Sequence, residues 1–395
     1  MPRSLETSLR LLRTEAVITS TLLAMPIMNP FYQSIGMDQG QIGLSQAFFV
    51  AALFMLNIPT GWIADRFSRK ACNAVGDGVA SVGFIMYAFV DGFSDVIVCE
   101  IIIGIGLAFT QGADSALLKA YCVGLKKSLV RQQSILSVWR PIAQIVAVTV
   151  GGVIGAYDFR LAILLSAIPY LVGAILSLFM TESGDRRASH RNPFADMWAI
   201  VKDSVHIDKR LKWLIVAFAV SREITHPLIW ALTPLLLLAG VPVTLIGFGW
   251  AMNAAMVSVG AIVAGYTRKG SSPLSDRLPE WQRFALPCGL VILSLCVMSI
   301  HLSAWTIWLY ACLGFAQGWT ASVMMPMIAA HARTDVQATV SSVALSASQL
   351  LYIPLVWIIN AVGNMDVRLT MVATIAVFFP LVILTSVKLS RLQRR

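Results

Sequence analysis

Pro59-Thr60-Gly61-Trp62-Ile63-Ala64-Asp65-Arg66-Phe67-Ser68-Arg69-Lys70 is the stretch that decides how this chain folds. Its first half closes an apolar run over 41–64, and its last residue abuts a second run over 71–90. Each run has the length of a membrane-spanning helix, about 20 residues. Between them, one acid and three bases are crowded into residues 65–70. That alternation reads as two spans joined by a tight hairpin, and its basic excess assigns the hairpin to the cytoplasmic side.

The pattern repeats along the chain. Of 395 residues, 57% are hydrophobic and 13% charged, with a net charge of +10 and a mean hydropathy of +0.75. Soluble domains carry about a quarter charged residues, so this composition excludes a soluble protein. It equally excludes a disordered, collagen-like or disulfide-scaffolded chain. Apolar runs bounded by charges, Gly or Pro fall at 12–33, 41–64, 71–90, 95–121, 134–156, 160–180, 212–239, 243–266, 284–301, 303–330, 337–363 and 367–388. The expected fold is therefore an all-α polytopic membrane protein with twelve transmembrane helices. The long polar stretch 181–211 divides it into six-helix bundles over 1–180 and 212–395. In that stretch Phe194, Met197, Trp198, Val201 and Val205 recur at helical spacing, which predicts an amphipathic helix on the membrane surface. The six cysteines lie in or beside apolar runs without a CxxC pair and read as packing residues. The N-terminal apolar run lacks a small-residue cleavage site and reads as a retained first span.

Orientation follows from the basic residues. With the N-terminus inside, twenty-six of the thirty Lys and Arg fall in inside segments, and Arg160 and Arg368 alone fall outside. Both termini and the central loop are expected in the cytoplasm, in a bacterial inner membrane or an equivalent plasma membrane. This bias explains the positive charge through contact with an anionic leaflet, without a nucleic-acid partner.

The 59–70 segment resembles the G-x-x-x-D-R-x-G-R-R signature that the major facilitator superfamily carries in its first cytoplasmic hairpin. The resemblance implies a latch on the outward-open state made by Gly61, Asp65, Arg66, Arg69 and Lys70. Gly61 would permit close helix approach, Asp65 would face the positive end of a neighbouring helix, and the bases would make charge-assisted contacts. Ser68 stands where the second glycine is usual. Leu117-Leu118-Lys119-Ala120 lacks the acid that family members often place at the end of span 4, which leaves Asp114 as the expected acidic partner. Gly265-Tyr266-Thr267-Arg268-Lys269-Gly270 in the second half keeps the glycine and bases but lacks the aspartate, as a diverged parallel repeat would.

Ionisable groups inside spans are costly and mark candidate sites. Arg222, Glu223 and His226 cluster in span 7. Adjacent helical positions diverge by about 100°, so Arg222 and Glu223 are expected to point apart, whereas Glu223 and His226 share a face. They read either as a proton-responsive pair or as separate structural ion pairs. Asp114 and Arg140 lie at equal depth on spans 4 and 5 and are expected to pair, as a structural bridge or as a gate. Glu100 and Asp77 are each open to two roles, proton carboxylate or hydrogen-bonded structural acid, and Glu15 is assigned to Arg10 or a lipid headgroup. Trp230, Asn253 and Gln317 are further candidates for lining a path.

No nucleotide-binding loop, metal-binding or nucleophile motif is present, so no cofactor, no metal and no enzymatic chemistry are expected. The expected activity is secondary active transport by rocking of the two halves. A monomer couples to protons and exports a small organic, anionic, siderophore- or drug-like molecule. An uptake permease for a small polar nutrient and a non-transporting membrane sensor on the same scaffold are the alternatives.

Overall fold

A computed structural model describes residues 4–182, 209–265, 277–331 and 337–393. The expected surface helix within 181–211 and the second-half loop at 266–270 lie outside the described residues, 181, 182 and 209–211 apart. Described residues are helical wherever a span is expected, in the order α1 (Leu5–Ile18), α2 (Met28–Ser34), α3 (Gln39–Arg66), α4 (Arg69–Tyr87), α5 (Phe93–Gly124), α6 (Leu129–Tyr157), α7 (Phe159–Leu165), α8 (Ala167–Leu178), α9 (Lys209–Glu223), α10 (Ile229–Leu238), α11 (Ile246–Gly265), α12 (Glu280–Ile300), α13 (Ala311–His331), α14 (Gln337–Val362) and α15 (Leu369–Gln393). Spans 1, 6 and 7 are each interrupted, and the other nine are essentially continuous. Eight helical stretches among the described residues are individually long and apolar enough to cross a membrane. The breaks in spans 1 and 7 account for part of the difference, whereas span 6 keeps a crossing length across Ser166.

Polar residues at the helix starts explain several boundaries. Ser4, Ser68, Ser128 and Asp158 accept hydrogen bonds from the backbone N–H groups of Thr7, Ala71, Arg131 and Leu161, satisfying donors that the first turn leaves open. The hairpin after α3 is shorter than its charge run suggests: helix continues through Arg66, and only Phe67 and Ser68 separate it from α4.

The chain forms two compact units. One comprises Met1–Met37, Phe48–Pro193 and Val243–Ala251; the other comprises Asp38–Ala47, Phe194–Pro242 and Met252–Arg395. In the first, Leu9, Leu12 and Ala16 of α1 pack on Leu117, Leu118 and Tyr121 of α5 and on Leu136 of α6. The break in span 1 is stitched from α7 and α8: the Ala24 N–H donates to Ser166 Oγ (2.9 Å), which itself donates to the Ala162 carbonyl. In the second unit, α11 and α13 approach closely. A Cβ on Gly318 would collide with the Val257 carbonyl oxygen, and one on Gly260 with that of Phe315. Small residues that bring backbones together are a main source of helix association in lipid.

The C-terminal end of span 6 is tied down. Tyr121 OH donates to the Thr181 carbonyl (2.6 Å), and the Thr181 N–H donates to Ser8 Oγ (3.0 Å). Lys70 Nζ donates to the Met180 carbonyl (3.2 Å), and Glu182 accepts from Ser68 Oγ and from the Arg69 N–H (3.0 Å). The acid that meets the hairpin is thus Glu182, not Asp114, which lies deeper and faces Arg140. Glu182 puts a carboxylate on the positive end of α4. Glu182→Ala should therefore destabilise the protein by about 1 kcal/mol, the usual value of an N-terminal cap, measured as a lower melting temperature of the purified protein. An unchanged melt would remove Glu182 from that role. The surroundings of Gly61 and the side chain of Asp65 lie outside what is described.

Candidate functional site

Charged side chains gather at two places in the bilayer-spanning region, one in each unit. In the second unit, α9 ends at Glu223 and α10 begins at Ile229, so span 7 is non-helical across 224–228. Two carbonyls at this break accept side-chain donors from elsewhere in the unit: Asn360 Nδ2 donates to Pro227 (3.2 Å) and Tyr310 OH to Leu228 (2.7 Å). In the first turn of α10, Gln39 Nε2 donates to the Trp230 carbonyl (3.1 Å), which Pro234 leaves without a helical donor. The break is built rather than frayed, because backbone groups freed in a membrane span need partners.

At this break sits the polar cluster. Glu223, whose side chain is 2% exposed, lies 3.7 Å from Arg222 Nε through Oε1 and 3.2 Å from His226 Nδ1 through Oε2. The Glu223–His226 pairing at i, i+3 is as expected. The divergence expected of Arg222 and Glu223 is not found, because the helix stops at Glu223 and the long Arg222 side chain reaches across its terminus. Arg222 Nη1 also donates to Ser348 Oγ of α14 (2.8 Å) and remains 31% exposed. The His226 ring meets Tyr352 edge-on at 6.4 Å, and Trp230 Nε1 donates to Tyr352 OH (3.2 Å). A guanidinium, a carboxylate, an imidazole and two aromatics thus stand within one wall made by spans 7 and 11. Ser348 carries no sequence signal beyond being a hydroxyl in an apolar run. Elsewhere in this unit, Asn253 Oδ1 of α11, Gln317 Nε2 of α13 and Gln349 Oε1 of α14 are buried atoms without hydrogen-bond partners.

In the first unit, Arg140 Nη2 stands 4.0 Å from Asp114 Oδ2, the expected pair. Arg140 Nε also donates to the Ala16 carbonyl of α1 (3.1 Å). Arg140 is 45% exposed and Asp114 24%. Glu15 is not with Arg10 or at the surface: it is buried, with its carboxyl group facing that of Asp77. Arg10 instead pairs with Glu6, whose carboxyl the hydrogen-bonded Lys127 ammonium holds below the usual carboxylate range.

Glu100 stands apart from both groups. Its Oε1 accepts from Tyr32 OH and Tyr87 OH, each at 2.9 Å, and the two hydroxyls lie 2.8 Å from one another. All three side chains are buried, and the contacts tie α2, α4 and α5 together. Sequence reading found the acid but not the tyrosines, which are apolar enough to pass as core.

A family model described as Major Facilitator Superfamily matches residues 16–354. This chain belongs to the major facilitator superfamily. Solved structures agree. The nucleoside transporter NupG, in a single-residue mutant form, aligns with a TM-score of 0.81 over 98% of this chain and 100% of its own, at 12% identity. A bacterial homologue of the human lysosomal transporter Spinster, in an inward-facing and occupied conformation, aligns with a TM-score of 0.74 over 97% and 96%, at 16% identity. No curated protein matches the sequence. Superfamily membership makes this a multi-pass membrane transporter with twelve spans that carries a small-molecule substrate. Identities this low speak for the shared fold alone.

Proposed function

We propose that this transporter works by alternating access, rocking six-helix bundles over 1–180 and 212–395 about a midplane site, and that it uses a proton gradient to export a small organic molecule bearing an anionic group. It acts as a monomer in the bacterial inner membrane or an equivalent plasma membrane, with both termini in the cytoplasm, as the distribution of basic residues supports. The observation that carries the reading is the Arg222–Glu223–His226 cluster at the break in span 7. Glu223 and an incoming anion compete for the same guanidinium. Glu223 is the group placed to take up a proton, and Arg222, which Ser348 keeps in place, is the group placed to meet an anionic substrate. Trp230 and Tyr352 supply an aromatic surface beside it.

A panel of metabolites, nucleosides and siderophores is first screened by thermal shift, since a ligand that binds the folded state raises its melting temperature. Glu223→Gln is then compared with wild type in proteoliposomes. The variant should keep the ligand-induced shift and lose proton-driven flux about tenfold or more, the effect of removing a proton-transfer group. Undiminished flux removes Glu223 from coupling. The orphaned amides Asn253, Gln317 and Gln349 favour a second reading, uptake of a neutral polar nutrient. The class that includes NupG's nucleosides falls here. A neutral ligand that stabilises Arg222→Gln as well as wild type would select it.

A further inference from the structure

Four acceptor oxygens in the first unit are buried without a hydrogen-bond donor: Glu15 Oε2, Asn73 Oδ1, Asp77 Oδ2 and Asp114 Oδ1. They come from α1, α4 and α5, which pack together. Glu15 and Asp77 are each 1% exposed, and their carboxyl groups face one another. Two carboxyl groups held together in an apolar interior are stabilised by a proton on one of them. Asn73 lies one helical turn before Asp77, is fully buried and donates Nδ2 to Ser177 Oγ (3.1 Å). Its oxygen adds one more acceptor without a donor. What this place lacks is hydrogen.

Charge points the same way. The groups facing the pair are Asp114 from α5, Arg140 from α6 and the Tyr170 phenol from α8. Arg160, which α7 contributes, is held by Asp91 and the Ala88 and Val90 carbonyls at the other end. Three carboxyl groups thus face one guanidinium, and a second uncompensated negative charge is not sustained inside a bilayer span. Backbone packs against the pair: a Cβ on Gly173 of α8 would stand 2.5 Å from Asp77 Oδ2 and 2.7 Å from the Thr19 methyl. A bare proton needs no room there, whereas a metal cation needs a shell of several oxygens.

We infer that Glu15 and Asp77 form a proton-carrying site in the N-terminal half, with the Asp114–Arg140 pair as its switch. This deepens the proton-coupled reading and rests on it, but places a proton on residues distinct from Glu223 and His226. Asp114 is the partly exposed member. A proton arriving there neutralises its carboxylate and breaks the ion pair, and it then passes from the Asp114 carboxylic acid to the free carboxylate of the Glu15–Asp77 pair. Arg140 is connected to both ends of this transfer, holding Asp114 with Nη2 and the carbonyl next to Glu15 with Nε. Each proton uptake therefore releases or re-engages one guanidinium.

The test is an infrared pH titration of the purified full-length protein, following the carboxylic-acid C=O stretch, which needs no substrate. Wild type should show a protonated-carboxyl band that titrates. Glu15→Gln and Asp77→Asn, both nearly isosteric, should each abolish it, while Glu223→Gln retains it. Should either variant fail to fold, Gly173→Ala, which removes no carboxyl but presses on Asp77, should shift the pH at which the band disappears. A band that survives in both Glu15→Gln and Asp77→Asn overturns the assignment. So does one that sodium chloride removes at constant pH while potassium chloride does not, which would identify a sodium site. Failure of the wider reading looks different: flux in proteoliposomes indifferent to a pH gradient would leave the band intact.

Discussion

Gly318→Leu should abolish recovery of folded, monodisperse protein. The place of a Cβ on Gly318 is already filled by the Val257 carbonyl, with the Val257 carbonyl carbon at 2.7 Å and the Ala261 nitrogen at 3.0 Å. These are backbone atoms and cannot rotate away. Gly260 makes the reciprocal approach to Phe315 one turn along α11, so the two helices are locked at a double contact and separating them at one point opens both. Overpacking a well-filled interior costs about 1–3 kcal/mol, and more where backbone must move. Here the contact is itself a source of helix association in the membrane. Size-exclusion chromatography and a thermal melt of Gly318→Leu, with Gly318→Ala as a graded step, check the expectation. A leucine variant that melts with wild type would show that α11 and α13 do not meet there.

Glu100→Leu should cost about 2–4 kcal/mol, through two buried phenols that lose their shared acceptor. Of the hydroxyls of Tyr32 and Tyr87, only one can donate to the other, so one of the two protons would lose the acceptor it has now. Glu100→Gln keeps an oxygen at the same place and should recover much of the loss. The comparison separates two roles: a structural acid tolerates glutamine in both melting temperature and transport, whereas a proton carrier tolerates it in melting temperature alone. Equal destabilisation by leucine and glutamine would mean that charge, rather than the acceptor, holds the two tyrosines.

Twelve spans were legible because hydropathy reports depth, and depth is what the bilayer enforces. The 59–70 hairpin was legible because a charge run between two apolar spans has one placement. Depth also sufficed for Asp114 and Arg140, which lie level on consecutive helices, and helical phase sufficed for Glu223 and His226. What failed was azimuth. Glu15 is one turn from the basic N-terminal segment along the chain, and nothing in the order of residues favours Asp77, sixty-two positions on, over Arg10. Glu182 lies just past the end of a span and reads as an ordinary surface acid, yet it caps α4. The phase argument that sent Arg222 and Glu223 apart assumed that the helix continues, and it ends at that residue.

That ending has a consequence for how span 7 can respond. An ordinary helix shifts register by exchanging its own hydrogen bonds one turn at a time. At 224–228 the Pro227 and Leu228 carbonyls are instead gripped by Asn360 and Tyr310, which arrive from two other spans. The segment cannot rewind into helix, or slip by a residue, without both letting go. The segment is therefore a splint rather than a spring, and motion of span 7 is carried by the helices on either side moving as stiff arms.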